Sequence, residues 1–136
     1  MSERDISSPN FGTLDSFAFE PQKVDKPWGW ELIWALTDVY CGKLLFVRAG
    51  ESLSLQFHKV KEESWFVQEG RAELEIGALG DAITSCEVVA PGAAFHIAPG
   101  TVHRVKALED TLILEVSTPH LDDVVRLEDE YGRVDS

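Results

Sequence analysis

The segment LSLQFHKVKEESW, which spans Leu53–Trp65, alternates apolar and polar residues at its start and becomes polar throughout its middle. Alternate side chains of a strand project to opposite faces, so Ser54, Gln56 and His58 share one face. Glu63 follows after a short turn and opens the next strand. The sequence therefore predicts a hairpin that brings Gln56, His58 and Glu63 together.

The same pattern of short apolar runs and glycine-containing turns extends from Trp30 to Ser117. None of the runs has a helical period, and short strands at this spacing predict an all-β sandwich or barrel of the jelly-roll kind. The closing segment LDDVVRLEDEYGR predicts either one helical turn or an extended strap. The runs expected to form strands are WELIWAL, KLLFVRA, LSLQFH, SWFVQ, AELEIG, SCEVVA, AAFHIA, VHRVKA and TLILEVS.

Length and composition indicate one domain with a substantial core. The chain has 136 residues, of which 44% are hydrophobic, and at this size roughly two-thirds of the unfolded surface can be buried. Residues 1–25 are expected to form a polar arm, carrying Phe11, Phe17 and Phe19, over the domain or over a neighbouring subunit. Residues 26–136 are expected to form a single domain. No apolar run approaches the ~20 residues of a membrane helix, and residues 1–9 lack the apolar stretch of a secretory signal.

The chain is strongly acidic, with 24 Asp and Glu against 12 Lys and Arg and a formal net charge of −12. This balance argues against nucleic acid or an anionic membrane as a partner. An anionic substrate would need a local basic cluster. The two cysteines, Cys41 and Cys86, form no CxxC motif and favour a reducing, cytoplasmic setting.

A further polar residue, His103, follows the turn APGTV and begins a later strand. Together with Gln56, His58 and Glu63 it offers two imidazole nitrogens, one amide oxygen and one carboxylate. This mixed nitrogen and oxygen set suits zinc, and also iron, manganese, cobalt or nickel. On composition alone, a histidine on a strand is more often a core or surface residue than a ligand, so the spacing has to decide.

The spacing resembles the two motifs of the cupin superfamily. From Gly50 to Gly70 the pattern is G-x5-Q-x-H-x4-E-x6-G, against G-x5-H-x-H-x(3,4)-E-x6-G in the family. From Gly92 to His103 it is G-x5-A-x-G-x2-H, against G-x5-P-x-G-x2-H. The departures are Gln56 for the first histidine, Ala98 for proline and Ala107 for a closing asparagine. The resemblance implies a cupin jelly-roll β-barrel, or double-stranded β-helix, with one divalent metal per chain inside it, and a homodimer.

Further segments are similar to the cupin domain of type II phosphomannose isomerases. LSLQFH is similar to their Q-x-H ligand pair, KPWGWE (26–31) to their opening segment, PGTVHRV to P-A-G-x-x-H-R-L, and DDVVRLEDEYGR (122–133) to their closing segment. The nucleotidyltransferase domain of that family does not fit into 136 residues, so no guanylyltransferase activity is expected. The resemblance implies a zinc site whose ligands are Gln56, His58, Glu63 and His103.

The isomerases also place a lysine two residues before their metal-binding glutamate, which is the position of Lys61 here. If strand pairing continues to this residue, Lys61 faces the same cavity as Glu63, and a neighbouring divalent cation lowers the pKa of its amine. Lys61 is then the expected base for proton transfer, with Glu115 as the second choice. The alternative is that Lys61 is an exposed lysine of the turn.

Three cationic residues are candidates for binding a small anionic sugar phosphate. Lys43 precedes the first ligand strand, and Arg126 and Arg133 carry guanidinium groups that match the geometry of a phosphate. An ordinary surface role is the alternative for all three, and for the two arginines it would be pairing with adjacent acids.

The leading interpretation is a metal-dependent isomerase that interconverts an aldose phosphate and a ketose phosphate, with mannose 6-phosphate and fructose 6-phosphate as the first pair to test. One alternative is an iron-dependent cupin dioxygenase, although such sites usually have three histidines and Gln56 weakens this interpretation. The other is a non-catalytic, metal-stabilised sugar-binding or regulatory module. The fold does not decide among them, because function depends on the site.

Overall fold

The structure of the protein is a computed structural model that describes residues 14–78 and 83–134. These residues form a 3₁₀ turn, Leu14–Phe17, and eleven strands. No helix in this part of the chain has the length and apolarity needed to cross a membrane. The strands are β1 Gln22–Lys26, β2 Gly29–Leu36, β3 Cys41–Val47, β4 Leu55–Phe57, β5 Glu63–Glu69, β6 Ala72–Ala78, β7 Ile83–Val89, β8 Ala94–Ile97, β9 Thr101–Ala107, β10 Thr111–Ser117 and β11 Val125–Glu128.

The strands form two antiparallel sheets that share one core. The first sheet has the order β1-β2-β3-β10-β5-β8 and the second the order β11-β4-β9-β6-β7. Strands that are distant in sequence pair with each other, such as β3 with β10 and β4 with β9, so the chain passes repeatedly from one sheet to the other. This arrangement is typical of a jelly roll, and the all-β prediction is confirmed.

The interior has an apolar end and a polar end. Along β5 the buried positions change from Glu63 to Trp65 and Val67, and along β10 they change from Ile113 to Glu115. The apolar side chains each stabilise the fold by about 1.5–3 kcal/mol on burial. The buried charged side chains of these two strands therefore lie at one end of the space between the sheets. The large members of the apolar core are Trp28, Leu45, Val47, Leu53, Trp65, Val67, Leu74, Ile97, Val105 and Ile113.

Each of the nine predicted runs contains a strand, and two further strands were missed. Strand β1 pairs with β2 from Gln22 onward, so the folded domain begins before residue 26 and the expected boundary of the arm at residue 25 is wrong. Its sequence, QKVDK, has a single apolar residue and no fully buried one, so apolar alternation does not indicate this edge strand. Strand β11 shows that the closing segment is an extended strap and not a helical turn. Residues 1–13 of the expected arm, with Phe11, lie outside the described residues.

Gly70 turns the chain between β5 and β6 with a φ of 92°. A Cβ atom there would lie 2.3 Å from the backbone oxygen of Asp110, so Gly70→Ala adds a steric clash to backbone strain. We expect it to lower the free energy of unfolding by about 3 kcal/mol, combining roughly 1–2 kcal/mol for the left-handed backbone with roughly 1–3 kcal/mol for overpacking.

Gly92 is the matched control, because its φ is 95° but an added Cβ would have no heavy atom within 4 Å. Gly92→Ala should lower the free energy of unfolding only by the backbone contribution, roughly 1–2 kcal/mol. Urea denaturation of both variants measures the difference, and equal losses would contradict the clash at Asp110.

Candidate metal centre

Three titratable side chains meet at the polar end of the interior. His58, Glu63 and His103 each place one ligand atom within 4.8 Å of the other two, and all three side chains are buried. Nε2 of His58 lies 2.6 Å from Oε2 of Glu63, and Nε2 of His103 lies 3.7 Å from the same oxygen. The hairpin predicted from the segment Leu53–Trp65 is wrong, because β4 and β5 lie in different sheets. His58 instead meets Glu63 across the space between the two sheets, and His103 joins them from β9, which pairs with β4.

Gln56 faces the same cavity. It is the residue of β4 that pairs with His103 on β9, and it lines the cavity together with the three titratable groups. On the opposite face of β4, Leu55 and Phe57 are buried against Val102 in a separate apolar cluster. Strand β4 is therefore buried on both faces and turns its polar face inward, which explains why polar residues occupy core positions in LSLQFH.

Both imidazole rings are oriented by backbone carbonyls. Nδ1 of His58 lies 2.5 Å from the carbonyl oxygen of Asp123, and Nδ1 of His103 lies 2.9 Å from that of Thr101. A carbonyl oxygen only accepts, so in a neutral ring the proton resides on Nδ1 and the lone pair on Nε2. Metal-binding histidines are held in this way in many proteins, and both Nε2 lone pairs point towards Glu63.

The surroundings favour the protonation states that metal binding requires. Burial lowers the pKa of His103, although the Glu63 carboxylate opposes this effect. Burial would raise the pKa of Glu63, but the His58 ring and the Lys61 ammonium outweigh it and lower the pKa well below its usual range. A neutral imidazole and an ionised carboxylate are the forms that bind metals.

Two of the converging atoms are buried without a hydrogen-bond partner, namely Oε2 of Glu63 and Nε2 of His103. Nε2 of His58, at 2.6 Å, satisfies that oxygen only when it carries a proton. When His58 is neutral with its proton on Nδ1, the oxygen has no donor there. Leaving such atoms unpaired costs about 1–3 kcal/mol each. A divalent cation is the partner that these lone pairs lack, and the mixed nitrogen and oxygen set, with Gln56 beside it, fits zinc or a similar metal.

A buried ion pair adjoins the ligand atoms. Nζ of Lys61 lies 3.2 Å from Oε2 of Glu115 and 3.9 Å from Oε1 of Glu63. Nε1 of Trp65 donates to Oε1 of Glu63 at 2.6 Å and to Oε1 of Glu115 at 3.2 Å. Lys61 is 6% exposed, so the alternative of an exposed turn lysine is wrong. The structure brings both residues expected to carry proton transfer to the ligand cluster.

The protein groups around Lys61 and Glu115 shift the pKa values of both side chains. Burial would lower the pKa of the Lys61 amine, but the carboxylates of Glu115 and Glu63 outweigh burial and raise it. The lowering expected for Lys61 requires a neighbouring cation, whose charge would act against these two carboxylates. Burial, followed by the nearby Glu63 charge, raises the pKa of Glu115. The two groups therefore compete for one proton.

The cavity concentrates positive charge within an acidic protein. It is lined by five of the twelve lysines and arginines. Lys43 is buried and its Nζ lies 3.4 Å from Oε2 of Glu31. The Arg133 guanidinium is held by Asp129, with Nε to Oδ2 at 2.9 Å and Nη2 to Oδ1 at 3.0 Å. The lining lysines and arginines are Lys26, Lys43, Lys61, Arg126 and Arg133.

Asp123 was not assigned a role from the sequence, yet it holds the turn between β4 and β5. Its Oδ1 accepts the amide of Lys59 at 3.0 Å, and its Oδ2 accepts the amides of Val60 at 2.7 Å and Lys61 at 2.8 Å. Burial opposes ionisation, but these donors outweigh it and lower the pKa of Asp123 to about 2. In the sequence, Asp123 is visible only as part of the acidic start of DDVVRLEDEYGR. That pattern does not reveal from which backbone amides the carboxylate accepts hydrogen bonds.

Comparison with known families and sequences shows the relatives of this chain. The family described as mannose-6-phosphate isomerase C-terminal matches residues 16–129, and the chain belongs to this family. The xanthan biosynthesis protein XanB of Xanthomonas campestris is 34% identical over 117 residues, which cover 82% of this chain and 24% of XanB. The mannose-1-phosphate guanylyltransferase of Escherichia coli K12 is 33% identical over 118 residues, which cover 83% of this chain and 23% of that protein. The chain spans about a quarter of the length of these relatives.

Solved structures with the same fold include several proteins of low sequence identity. The capsular polysaccharide assembling protein CapF of Staphylococcus aureus has a TM-score of 0.68 at 17% identity, covering 87% of this chain and 37% of CapF. KdgF from Halomonas sp. has a TM-score of 0.63 at 23% identity, covering 76% of this chain and 94% of KdgF. Bacillus subtilis oxalate decarboxylase, a protein with Mn(II) centres, has a TM-score of 0.66 at 17% identity, covering 78% of this chain and 30% of that chain. The cupin barrel expected from the sequence is confirmed.

Replacing His103 should abolish metal binding, because the truncated side chain leaves too few ligands. We expect the zinc content of His103→Ala, and likewise of His58→Ala, to fall from about one ion per chain to near zero after dialysis. His96→Ala is the matched control, because His96 is an exposed histidine that pairs with Glu62. Elemental analysis measures the content, and equal zinc in all four proteins would contradict the site.

Proposed function

We propose that this member of the mannose-6-phosphate isomerase C-terminal family is a metal-dependent aldose–ketose isomerase of the mannose 6-phosphate and fructose 6-phosphate type. The observation that carries the proposal is the buried Lys61–Glu115 pair, with 3.2 Å between Nζ and Oε2, directly beside the cluster of His58, Glu63 and His103. A metal-binding set next to an acid–base pair is what moving a proton between adjacent carbons requires.

The proposed ligands are Gln56, His58, Glu63 and His103, holding one divalent metal per chain. Zinc is the first choice, and manganese, iron, cobalt and nickel suit the same donor set. When bound, the cation would stabilise negative charge on the carbonyl and neighbouring hydroxyl oxygens of the sugar. The orphaned buried atoms of Glu63 and His103 support this assignment.

Lys61 and Glu115 are the proposed residues for proton transfer. The Lys61 ammonium passes a proton to the Glu115 carboxylate, whose pKa is raised by burial, and a neutral amine results. This amine takes the proton from the hydroxyl-bearing carbon next to the sugar carbonyl and returns it to the former carbonyl carbon, while the hydroxyl proton passes to the former carbonyl oxygen and a new carbonyl forms at the neighbouring carbon. A raised pKa makes it harder for Lys61 to lose its proton to water. Transfer to Glu115 avoids that loss, because the proton stays within the pair.

The substrate phosphate is proposed to meet Arg126, Lys43 and Arg133. The basic lining of the cavity supports an anionic ligand, because the chain as a whole carries a formal net charge of −12. Lys43 and Arg133 each have a carboxylate partner, Glu31 and Asp129. A phosphate would therefore share these cations with the carboxylates or displace them.

The scope of the proposal follows from the length of the match. Because the chain covers about a quarter of its relatives, the guanylyltransferase activity named for the Escherichia coli protein is not part of it. We also propose that the protein works in a reducing, cytoplasmic setting. The free thiols of buried Cys41 and exposed Cys86 support this proposal.

A homodimer is also proposed, with the outer face of the first sheet as the contact. The outward positions of β2, β3 and β10 carry no charged residue, and Trp34, Leu114 and Val116 are exposed there at 44%, 36% and 59%. A second copy presents the same uncharged face. Two copies can therefore bury this surface without bringing their acidic residues together.

Leu114→Glu places a charge in the centre of that face and should convert the dimer into a monomer, because each interface would bury two unpaired carboxylates. Light scattering coupled to size exclusion measures the mass. Val88→Glu is the control, because Val88 is 57% exposed on β7 of the other sheet and should leave the dimer intact. A monomeric wild-type protein would refute the dimer.

Lys61→Met should lower kcat by about 10²–10⁴-fold, the usual contribution of a positioned acid or base, while zinc content stays unchanged. Lys59→Met is the matched control, because Lys59 is an exposed lysine of the same turn and its loss should leave kcat unaltered. A coupled assay of mannose 6-phosphate isomerisation measures both variants.

Arg126→Ala should mainly raise KM in the same assay if the phosphate contact is equal in ground and transition states.

Wild-type kcat in Lys61→Met would exclude Lys61 and leave Glu115 as the candidate base. If zinc-loaded wild-type protein turned over no hexose or pentose phosphate, the isomerase proposal would be refuted. Sugar binding without turnover would then favour a non-catalytic module, whereas oxygen consumption with an iron-loaded protein would favour a dioxygenase.

A further inference from the structure

We infer that Asp123 is a positioning residue for the metal centre, which it organises by fixing the turn between β4 and β5. The inference rests on the proposed metal site and is independent of isomerase activity. Asp123 lies in the closing strap, between β10 and β11, and not on either ligand strand. Its effect on the centre would pass through His58.

The Asp123 side chain gathers three consecutive amides. Its two oxygens accept the backbone N–H groups of Lys59, Val60 and Lys61 at 2.7–3.0 Å. Hydrogen bonds to an ionised acceptor are stronger than those between neutral groups. Three donors on one carboxylate fix both the position and the curvature of the turn.

The backbone of the same residue reaches a metal ligand. The Asp123 carbonyl oxygen lies 2.5 Å from Nδ1 of His58. His58 directly precedes the three residues whose amides the carboxylate accepts. The carboxylate and the carbonyl therefore hold four consecutive residues of one turn, 58–61. A shift of the Asp123 side chain changes the angle at which the carbonyl meets the imidazole, and with it the direction of the Nε2 lone pair.

The ends of the turn have other supports, but its middle depends on Asp123. At one end the amide of Gly100 donates to the His58 carbonyl at 2.8 Å, and at the other the amide of Thr118 donates to the Glu62 carbonyl at 3.0 Å. Val60 is 59% exposed, so apolar packing does not hold the middle. Within the described residues, the hydrogen bonds recorded for the three central amides go to Asp123.

Asp123→Asn tests the inference, because the amide nitrogen that replaces one oxygen faces backbone donors and cannot accept from them. The full chain is titrated with Co²⁺ against a chelator, and the visible absorption of bound Co²⁺ reports the ligand geometry. We expect Asp123→Asn to weaken Co²⁺ binding by about 10–100-fold, the usual effect of losing a group that orients a ligand, and to alter the spectrum. Asp122→Asn removes the same charge from an exposed neighbour and should change neither.

Wild-type affinity and spectrum in Asp123→Asn would overturn the inference alone, whereas failure of the wild-type protein to bind Co²⁺ would overturn the metal centre and the inference together. If Asp123→Asn does not fold, amide hydrogen exchange in the wild-type protein decides. The amides of Lys59, Val60 and Lys61 should then be protected as strongly as those of β4, and exchange at unprotected rates would overturn the inference.

Discussion

When both rings are neutral, the lone pairs of two imidazole nitrogens face one carboxylate oxygen inside this protein, and several contacts hold the three groups in that unfavourable approach. The nitrogens of His58 and His103 lie 2.6 and 3.7 Å from Oε2 of Glu63. Buried and unpaired atoms of this kind oppose folding, so other contacts must hold them together. The backbone carbonyls at Nδ1 of each ring and the Trp65 N–H at the second Glu63 oxygen do so. A cation converts the same geometry into a stabilising one.

The barrel accommodates this cluster by keeping apolar and polar side chains at opposite ends of its interior. At one end the strands meet through apolar side chains, and at the other through Glu63, Lys61 and Glu115. Strand β4 loses the apolar contacts of its inward face, and a separate cluster of Leu55 and Phe57 on its outer face replaces them. Sheet pairing alone would hold so short a strand weakly. The second cluster and the closing strap, which pairs with β4 through β11, allow a polar strand to stay in place.

The fold, and the convergence of His58, Glu63 and His103, were predictable from the sequence because the patterns that indicate them are local. Strand alternation puts Gln56 and His58 on one face, and motif spacing added Glu63 and His103. Contacts between distant segments were not predictable in this way. The pairing of Lys61 with Glu115 depends on the register of β5 against β10, and a pattern of residues does not report a register. The effect of Glu115 on the pKa of Lys61 was not expected for the same reason, because Glu115 comes from a distant part of the chain.

The charges around the cavity would couple the binding of a metal to the binding of an anionic substrate. Five cationic side chains line the cavity, and three carboxylates, those of Glu31, Glu63 and Glu115, accompany them. The raised pKa of Glu115 means that even this negative charge is weakly held. A divalent cation would add two further positive charges to a site that is already cationic and partly shielded from water, where charges interact more strongly than on the surface. An anionic ligand would relieve this repulsion and a neutral sugar would not, so occupancy of the metal site and affinity for a phosphate should rise together.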